Sequence, residues 1–377
     1  MKKYFIKTFG CQGNFADSER MATFYEKQGY QPADNIESAD IVIINSCAVR
    51  DSAENRVYGL VKNLKILKKK KSNLEVIVTG CVPGASSREK SGRQKKKLTK
   101  GLRDFARPVD ASQFDFEIKP KRGNPKIISI PISNGCNNFC SYCVVPLARG
   151  PEVSRSMKEI IDEAKIAIKN GGEEIMLIGQ NVNSYGADLI KDAKKYKLPS
   201  GREIKPVIVK HLGKYRLPTL FPYLLEEICK IKGVKKVSFM SSNPWDFSDE
   251  LINVIAKYPQ INREIHIPLQ SGDDEVLKRM NRWYTRDGYL KLIKKIRNKI
   301  LGVSFTTDII VGFPGETKAQ FEKTVDLAKK INFNIAHIAC YSPRLGTMSE
   351  KNFKNDVPIL EKKRRLHILD EIINKKL

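Results

Sequence analysis

The sequence predicts an α/β protein: an N-terminal three-layer parallel α/β domain over about residues 1–115, a partial (β/α)6 TIM-like barrel over 122–358, and a C-terminal basic amphipathic helix over 359–377. Three observations carry this. Short apolar strand patterns alternate with amphipathic helical ones along most of the chain, as in parallel sheets built from crossover units. Cysteines or polar clusters follow the strand ends, where such sheets place their ligands. A length of 377 residues is enough for two or three separate cores.

The first part reads as three strand–helix units: strand 4–8 and helix 17–28, strand 41–45 and helix 52–67, then strand 74–79. A cysteine comes just after each strand, Cys11 in FGCQGN, Cys47 in NSCAV and Cys81 in TGCVP, with Gly or Ser beside it to let the chain turn. Loops at the carboxyl ends of neighbouring parallel strands lie side by side. The three thiols are therefore expected to meet and hold a 4Fe–4S cluster, chance packing of buried cysteines being the alternative. Residues 86–126 are polar, basic and punctuated by Gly and Pro, and read as the end of this domain plus a linker.

In the barrel part the expected strands are 127–132, 174–178, 235–240, 264–267, 304–310 and 334–339. The expected helices are 156–170, 222–232, 248–256, 273–280 with 286–299, and 318–331. After the first strand stands GCNNFCSYCVVPLARG, in which Cys136, Cys140 and Cys143 are spaced C-x3-C-x2-C with no histidine or further cysteine nearby. A structural zinc takes four protein ligands, whereas a 4Fe–4S cube held by three thiolates keeps one iron open. The spacing favours a working cluster over a zinc knuckle completed from a distance. Polar groups after later strands share that rim: Gln180 and Asn181, Ser241 with Ser242 and Asn243, Gln270, Asp308, and the GFPGET run with Gly312 and Glu316. Residues 187–217 are a basic insertion without readable function, and Cys229 and Cys340 read as core packing. The last helix is expected to dock through Leu360, Leu366, Leu369 and Ile373, with Lys362, Lys363, Arg364 and Arg365 off that face.

A formal charge of +26, from 68 Lys and Arg against 42 Asp and Glu, points to a polyanionic partner such as RNA. No stretch approaches the roughly 18 apolar residues of a membrane span. The start MKKYFIKTFGC has too short an apolar run for a signal peptide. A cytoplasmic protein with reduced, ligand-bearing cysteines is expected.

GCNNFCSYCVVPLARG, IMLIGQNVNSYG, HIPLQSGDDEVLKRMNRWYT, TTDIIVGFPGET and YSPRLGT, together with Cys11, Cys47 and Cys81, resemble the radical S-adenosylmethionine methylthiotransferases over nearly the whole chain. Within that family GQNVNSYG and YSPRLGT look most like the MiaB branch, which modifies N6-isopentenyladenosine in tRNA. The resemblance implies two 4Fe–4S clusters: a radical-generating one on Cys136, Cys140 and Cys143, and an auxiliary one on Cys11, Cys47 and Cys81 that carries the sulfur. One S-adenosylmethionine would methylate that sulfur and a second would yield the radical that takes hydrogen from C2 of the adenine. Gln180, Asn181, Ser241, Gln270, Gly312 and Glu316 would contact S-adenosylmethionine. The implied partners are the tRNA anticodon loop, an external electron donor such as a flavodoxin or ferredoxin, and a separate RNA-binding module; the chain is expected to be a monomer.

The chain departs from the family in two places. The sequence ends where the family's C-terminal TRAM β-barrel is expected to begin, leaving the RNA grip to the basic surface, to a separate chain or to a truncated portion. VPGASSREK after Cys81 stands in place of the usual helix start, implying a different closure of the first domain. Other open readings are methylthiolation of threonylcarbamoyladenosine or of a ribosomal-protein aspartate, and a non-catalytic iron–sulfur RNA-binding protein.

Overall fold

The computed structural model describes residues 1–49, 51–102, 106–108, 118–120, 122, 126–190, 195–211 and 215–375. The expected domain boundary near residue 115 lies outside them. In the first part β1 (Lys3–Phe9), β2 (Gln31–Pro32), β3 (Ile41–Ser46), β4 (Glu75–Gly80) and β5 (Ala106–Pro108) form one parallel sheet of order β2-β1-β3-β4-β5. The sequence showed three of these strands; β2 and β5 are too short to leave a pattern. Every residue of β3 is buried because both faces are covered. Val42, Ile44, Val76 and Val78 pack with Val57, Val61 and Leu64 of α2 (Asp51–Lys70), while Ile41, Ile43 and Ile77 pack with Met21 and Tyr25 of α1 (Gln12–Lys27). Phe9 pairs with Ser46, and Ser46 with Gly80, so the three strands end level. Cys11, Cys47 and Cys81 follow at one sheet edge.

Three expectations for this part are corrected. Helix α1 begins directly after Cys11 rather than at residue 17. There Asn14 turns back and its Oδ1 accepts the Cys11 N–H at 3.4 Å. VPGASSREK does form a helix start, since Cys81 is itself the first residue of α3 (Cys81–Arg88). Pro83 falls in the first turn, where no backbone donor is needed. Part of the stretch read as linker is α4 (Arg93–Leu102), whose buried Leu98 and Leu102 are hidden in sequence among lysines.

The barrel strands are β6 (Ile127–Pro131), β7 (Glu174–Ile178), β8 (Lys236–Phe239), β9 (Glu264–His266), β10 (Ser304–Val311) and β11 (Ile335–Cys340). They form two parallel three-stranded sheets, β6-β7-β8 and β9-β10-β11. The sheets meet where Val237 N–H donates to Gln260 O and Asn262 N–H donates to Val237 O, at 2.9 and 2.8 Å. Helices α5 (Val145–Arg149), α6 (Met157–Lys169), α7 (Phe221–Cys229), α8 (Asp249–Lys257), α9 (Asp274–Arg279), α10 (Arg286–Lys299) and α11 (Lys318–Ile331) punctuate the strands. The apolar sides of α6, α7, α8, α10 and α11 share one core with the strands that also holds Cys229. The basic insertion contains two hairpins, Tyr196–Lys197 with Glu203–Ile204 and Val207–His211 with Tyr215–Thr219.

After a short α12 (Met348–Asn352), α13 (Ile359–Ile373) docks on β11 and α11. The face it buries is the expected one at Leu366, Leu369 and Ile373 but not at Leu360, Lys362 and Arg365. Lys362, Arg365, Leu369 and Ile373 are buried, while Leu360 is 77 % exposed. The two cations go inside because partners wait there. Lys362 Nζ donates to Tyr341 O at 3.0 Å, and Arg365 Nη1 donates to Glu316 Oε2 at 2.7 Å. Among the described residues no helix is long and apolar enough to cross a membrane.

Candidate active site: two cysteine triads on one cavity

The loop bearing Cys136, Cys140 and Cys143 is closed at its ends by pairing of Ser133–Asn134 with Val153–Ser154. Gly135 is required at its entry: φ is 81°, and a Cβ there would stand 1.9 Å from Pro151 O. Cys136 N–H donates to Gly150 O at 3.1 Å and Cys143 N–H to Cys140 O at 2.9 Å, turning the loop inward. Helix α5 then reaches the first domain. Gly84 of α3 lets the two helices touch, since a Cβ there would lie 2.1 Å from Ala148 O. Val144 and Ala148 join the core cluster that holds Val82 and Ala85.

All six cysteines of the two triads therefore line one cavity of about 880 Å³, between the barrel mouth and the first sheet's carboxyl edge. Burial lifts the Cys136 thiol well above its ordinary range. Burial, helped by the neighbouring Cys140, pushes Cys143 up to about 12. Crowded, buried sulfurs of this kind disfavour bare thiolates and suit a site that supplies positive charge. Among the described residues no three Cys, His, Asp or Glu converge as a single ion requires. Thiolates around one zinc would stand about 3.8 Å apart at ~2.3 Å per Zn–S bond, whereas those on separate irons of a cube stand farther apart.

Arg282, just past α9, is buried against the triad. Its Nη1 donates to Cys140 Sγ at 3.4 Å and to Asn243 Oδ1 at 3.0 Å, and its guanidinium lies 4.5 Å from the Trp245 ring centroid. Ser241 (φ 69°) and Gln270 (φ 62°), at the ends of β8 and β9, both take the left-handed backbone that non-glycine residues avoid. Such strain gathers where a site dictates the conformation.

The Radical SAM superfamily model matches residues 130–328, and that of Uncharacterized protein family UPF0004 matches residues 3–100. The chain is 40 % identical to the tRNA-2-methylthio-N(6)-dimethylallyladenosine synthase of Thermotoga petrophila, over 100 % of this chain and 83 % of that one. It is 38 % identical to the enzyme of the same name from Clostridium botulinum, over 99 % and 81 %. The chain belongs to the radical S-adenosylmethionine methylthiotransferase family. Among solved structures, the radical S-adenosylmethionine methyltransferase TsrM of Kitasatospora setae shares its fold, with a TM-score of 0.57 at 13 % identity over 93 % of this chain and 77 % of that one. The cobalamin-dependent radical enzyme OxsB does so with a TM-score of 0.55 at 11 % identity, over 97 % and 56 %.

A radical S-adenosylmethionine methylthiotransferase implies a 4Fe–4S cluster and S-adenosylmethionine, and the cavity's donor set suits both. Three cysteines on one tight loop leave an iron open. Gln180 Oε1, Gln270 Oε1 and Asn138 Oδ1 are buried on the cavity wall without a hydrogen-bond partner among the described residues, acceptors awaiting ligand amino or hydroxyl groups. Ser241 lines the same wall. The remaining residues expected to contact S-adenosylmethionine do not line it. Asn181 is fully buried and its Nδ2 donates to Asp246 Oδ2 at 2.8 Å. Glu316 Oε2 accepts from Gly312 N–H at 2.6 Å as well as from Arg365, and burial raises its carboxyl above the ordinary range. Gly312 is needed for clearance, because a Cβ there would stand 2.3 Å from Lys362 Cγ. In this chain GFPGET thus braces α13. Cys340, read as packing, lines the cavity, as do His266, Asp308 and His337. His266 and Arg282 escaped sequence reading because only tertiary packing brings them there; their one signal was position near a strand or helix end.

Proposed function

We propose that the chain transfers a methylthio group to C2 of N6-isopentenyladenosine beside the anticodon of tRNA; the relatives are named as synthases of 2-methylthio-N(6)-dimethylallyladenosine in tRNA. The observation that carries this reading is the opening of both cysteine triads onto a single cavity. In this reading Cys136, Cys140 and Cys143 hold one 4Fe–4S cluster and Cys11, Cys47 and Cys81 a second. When bound, the first with S-adenosylmethionine supplies a radical able to take hydrogen from an unactivated C–H bond, and the second supplies sulfur.

The protein's own part is placement. Gln180, Gln270 and Asn138 accept hydrogen bonds from bound ligands, Arg282 fixes the Cys140 sulfur, and the α3–α5 contact sets the spacing between triads. A cavity of about 880 Å³ is roomy by the standard of small-molecule sites, roughly 300–1,000 Å³. Anticodon loops present unstacked bases that can enter such a site, and the basic exterior suits their phosphates. A flavodoxin or ferredoxin serves as electron donor, and the chain acts as a monomer.

The test is anaerobic reconstitution with an anticodon stem-loop bearing N6-isopentenyladenosine. Wild type should hold about eight irons and form methylthio-adenosine. Cys140→Ala should abolish 5'-deoxyadenosine formation, whereas Cys81→Ala should keep it and lose methylthio transfer. Full iron loading without any methylthio-adenosine would defeat the proposal.

A further inference from the structure

Arg149 ends α5, the short helix that leaves the Cys143 loop, and its side chain is only 12 % exposed. Its Nη1 donates to Asn134 Oδ1 at 3.0 Å, and its Nη2 crosses to the first domain to donate to Asp17 Oδ2 at 2.8 Å. Asp17 lies on α1, the helix capped by Cys11. A Cβ on Gly13 would lie 3.4 Å from Arg149 Nη2 and 3.5 Å from Cys11 Sγ, so guanidinium and sulfur lie beside the same glycine, within the sum of those two distances of each other. Arg149 also lines the cavity onto which Cys47 and Cys81 open. The loop that carries one cysteine triad thus delivers a permanent, largely desolvated positive charge to the side of the other. A domain-holding ion pair with Asp17 does not require that location.

We propose that Arg149, restrained by Asp17, is the positioning residue that sets the electrostatic field at the Cys11–Cys47–Cys81 site and raises the reduction potential of the cluster held there. This rests on the reading that the triad carries a 4Fe–4S cluster. One-electron reduction adds negative charge to a site of sulfide and thiolate, and a fixed cation in a low-dielectric surround favours the reduced form. The carboxylate of Asp17 opposes that effect. The two residues therefore act on the cluster with opposite sign, which mere structural support would not produce.

The experiment uses the full chain with Cys136, Cys140 and Cys143 replaced by Ala, leaving one cluster, and follows its reduction by electron paramagnetic resonance across a potentiometric titration. In that background Arg149→Gln should disfavour reduction about tenfold, a fall of about 59 mV for a one-electron couple. Asp17→Asn should shift the potential upward, and Arg149→Lys should restore part of the loss. Asp17→Asn keeps the guanidinium held by Asn134 Oδ1 while removing the opposing charge, so its upward shift tests the proposal even where Arg149→Gln fails to accumulate folded. Unchanged potentials, or shifts of the same sign in both variants, overturn the inference while leaving the two-cluster reading intact. A triple-alanine background that binds no iron overturns both.

Discussion

At the scale of single residues, charge inside the protein is placed where partners exist, whatever the local pattern suggests. Arg365 and Lys362 sit in a basic run, and pattern alone assigns them to solvent; Glu316 and the Tyr341 carbonyl draw them inside. Glu226 on α7 shows the electrostatic consequence most clearly. Burial alone would raise its carboxyl, but hydrogen bonds from Arg202 and Tyr258 and the charge of Lys230 prevail and bring it down to about 2 from an ordinary 4.5. A carboxyl depressed in the folded state stabilises above its unfolded value, and the contribution fades as pH falls from about 4.5 through 2. Glu226→Gln should be less stable than wild type at pH 7 by about 1 kcal/mol, since the cations it pairs with are half exposed and screened. That gap should close toward pH 2 in thermal unfolding followed by circular dichroism; a gap independent of pH would refute this account.

At the scale of elements, most of the architecture was legible, because helix and strand periodicity is a local property. Helices 286–299 and 318–331 and strand 174–178 match expectation residue for residue. What the pattern missed was either too short, as β2 and β5, or too uniformly charged, as α4. The contact between α3 and α5 was also illegible, although it governs how far apart the two triads stand. Gly84 has no unusual backbone angle and gives no signal in sequence; only its closeness to Ala148 O explains the absent side chain. Gly84→Ala must push α3 from α5 and should destabilise the fold by about 1–3 kcal/mol, as overpacking does. Methylthio transfer should fall more than 5'-deoxyadenosine formation, which needs only the barrel triad. Equal loss of both would place the spacing elsewhere.

At the scale of the whole molecule, two folded parts are tied by charged groups as well as by α5. Glu163 on α6 is enclosed by Arg20 from α1 together with Arg122 and Arg155, Arg344 pairs with Asp51, and Arg93 pairs with Glu350. Many cations remain outside such pairs, and the net charge of +26 is a property of the entire surface. RNA binding should therefore be steeply salt-dependent. For six or more phosphate contacts, affinity for an anticodon stem-loop should fall at least about a thousandfold between 50 and 200 mM salt. Fluorescence anisotropy across that range checks this, and a flat response would remove the basic exterior from the account.

The sequence by itself determined the α/β architecture, the close spacing of the three cysteines of the Cys136 loop and the three cysteines at consecutive strand ends, because each follows from spacing along the chain or from parallel-sheet geometry. Tertiary structure alone decided that both triads open on one cavity, that Arg282 and Arg149 lie beside them, and that Glu316 and Gly312 pack against α13. Those facts depend on which side chains meet after residues distant in sequence pack together, and burial and partner choice across such distances leave no local periodicity to read.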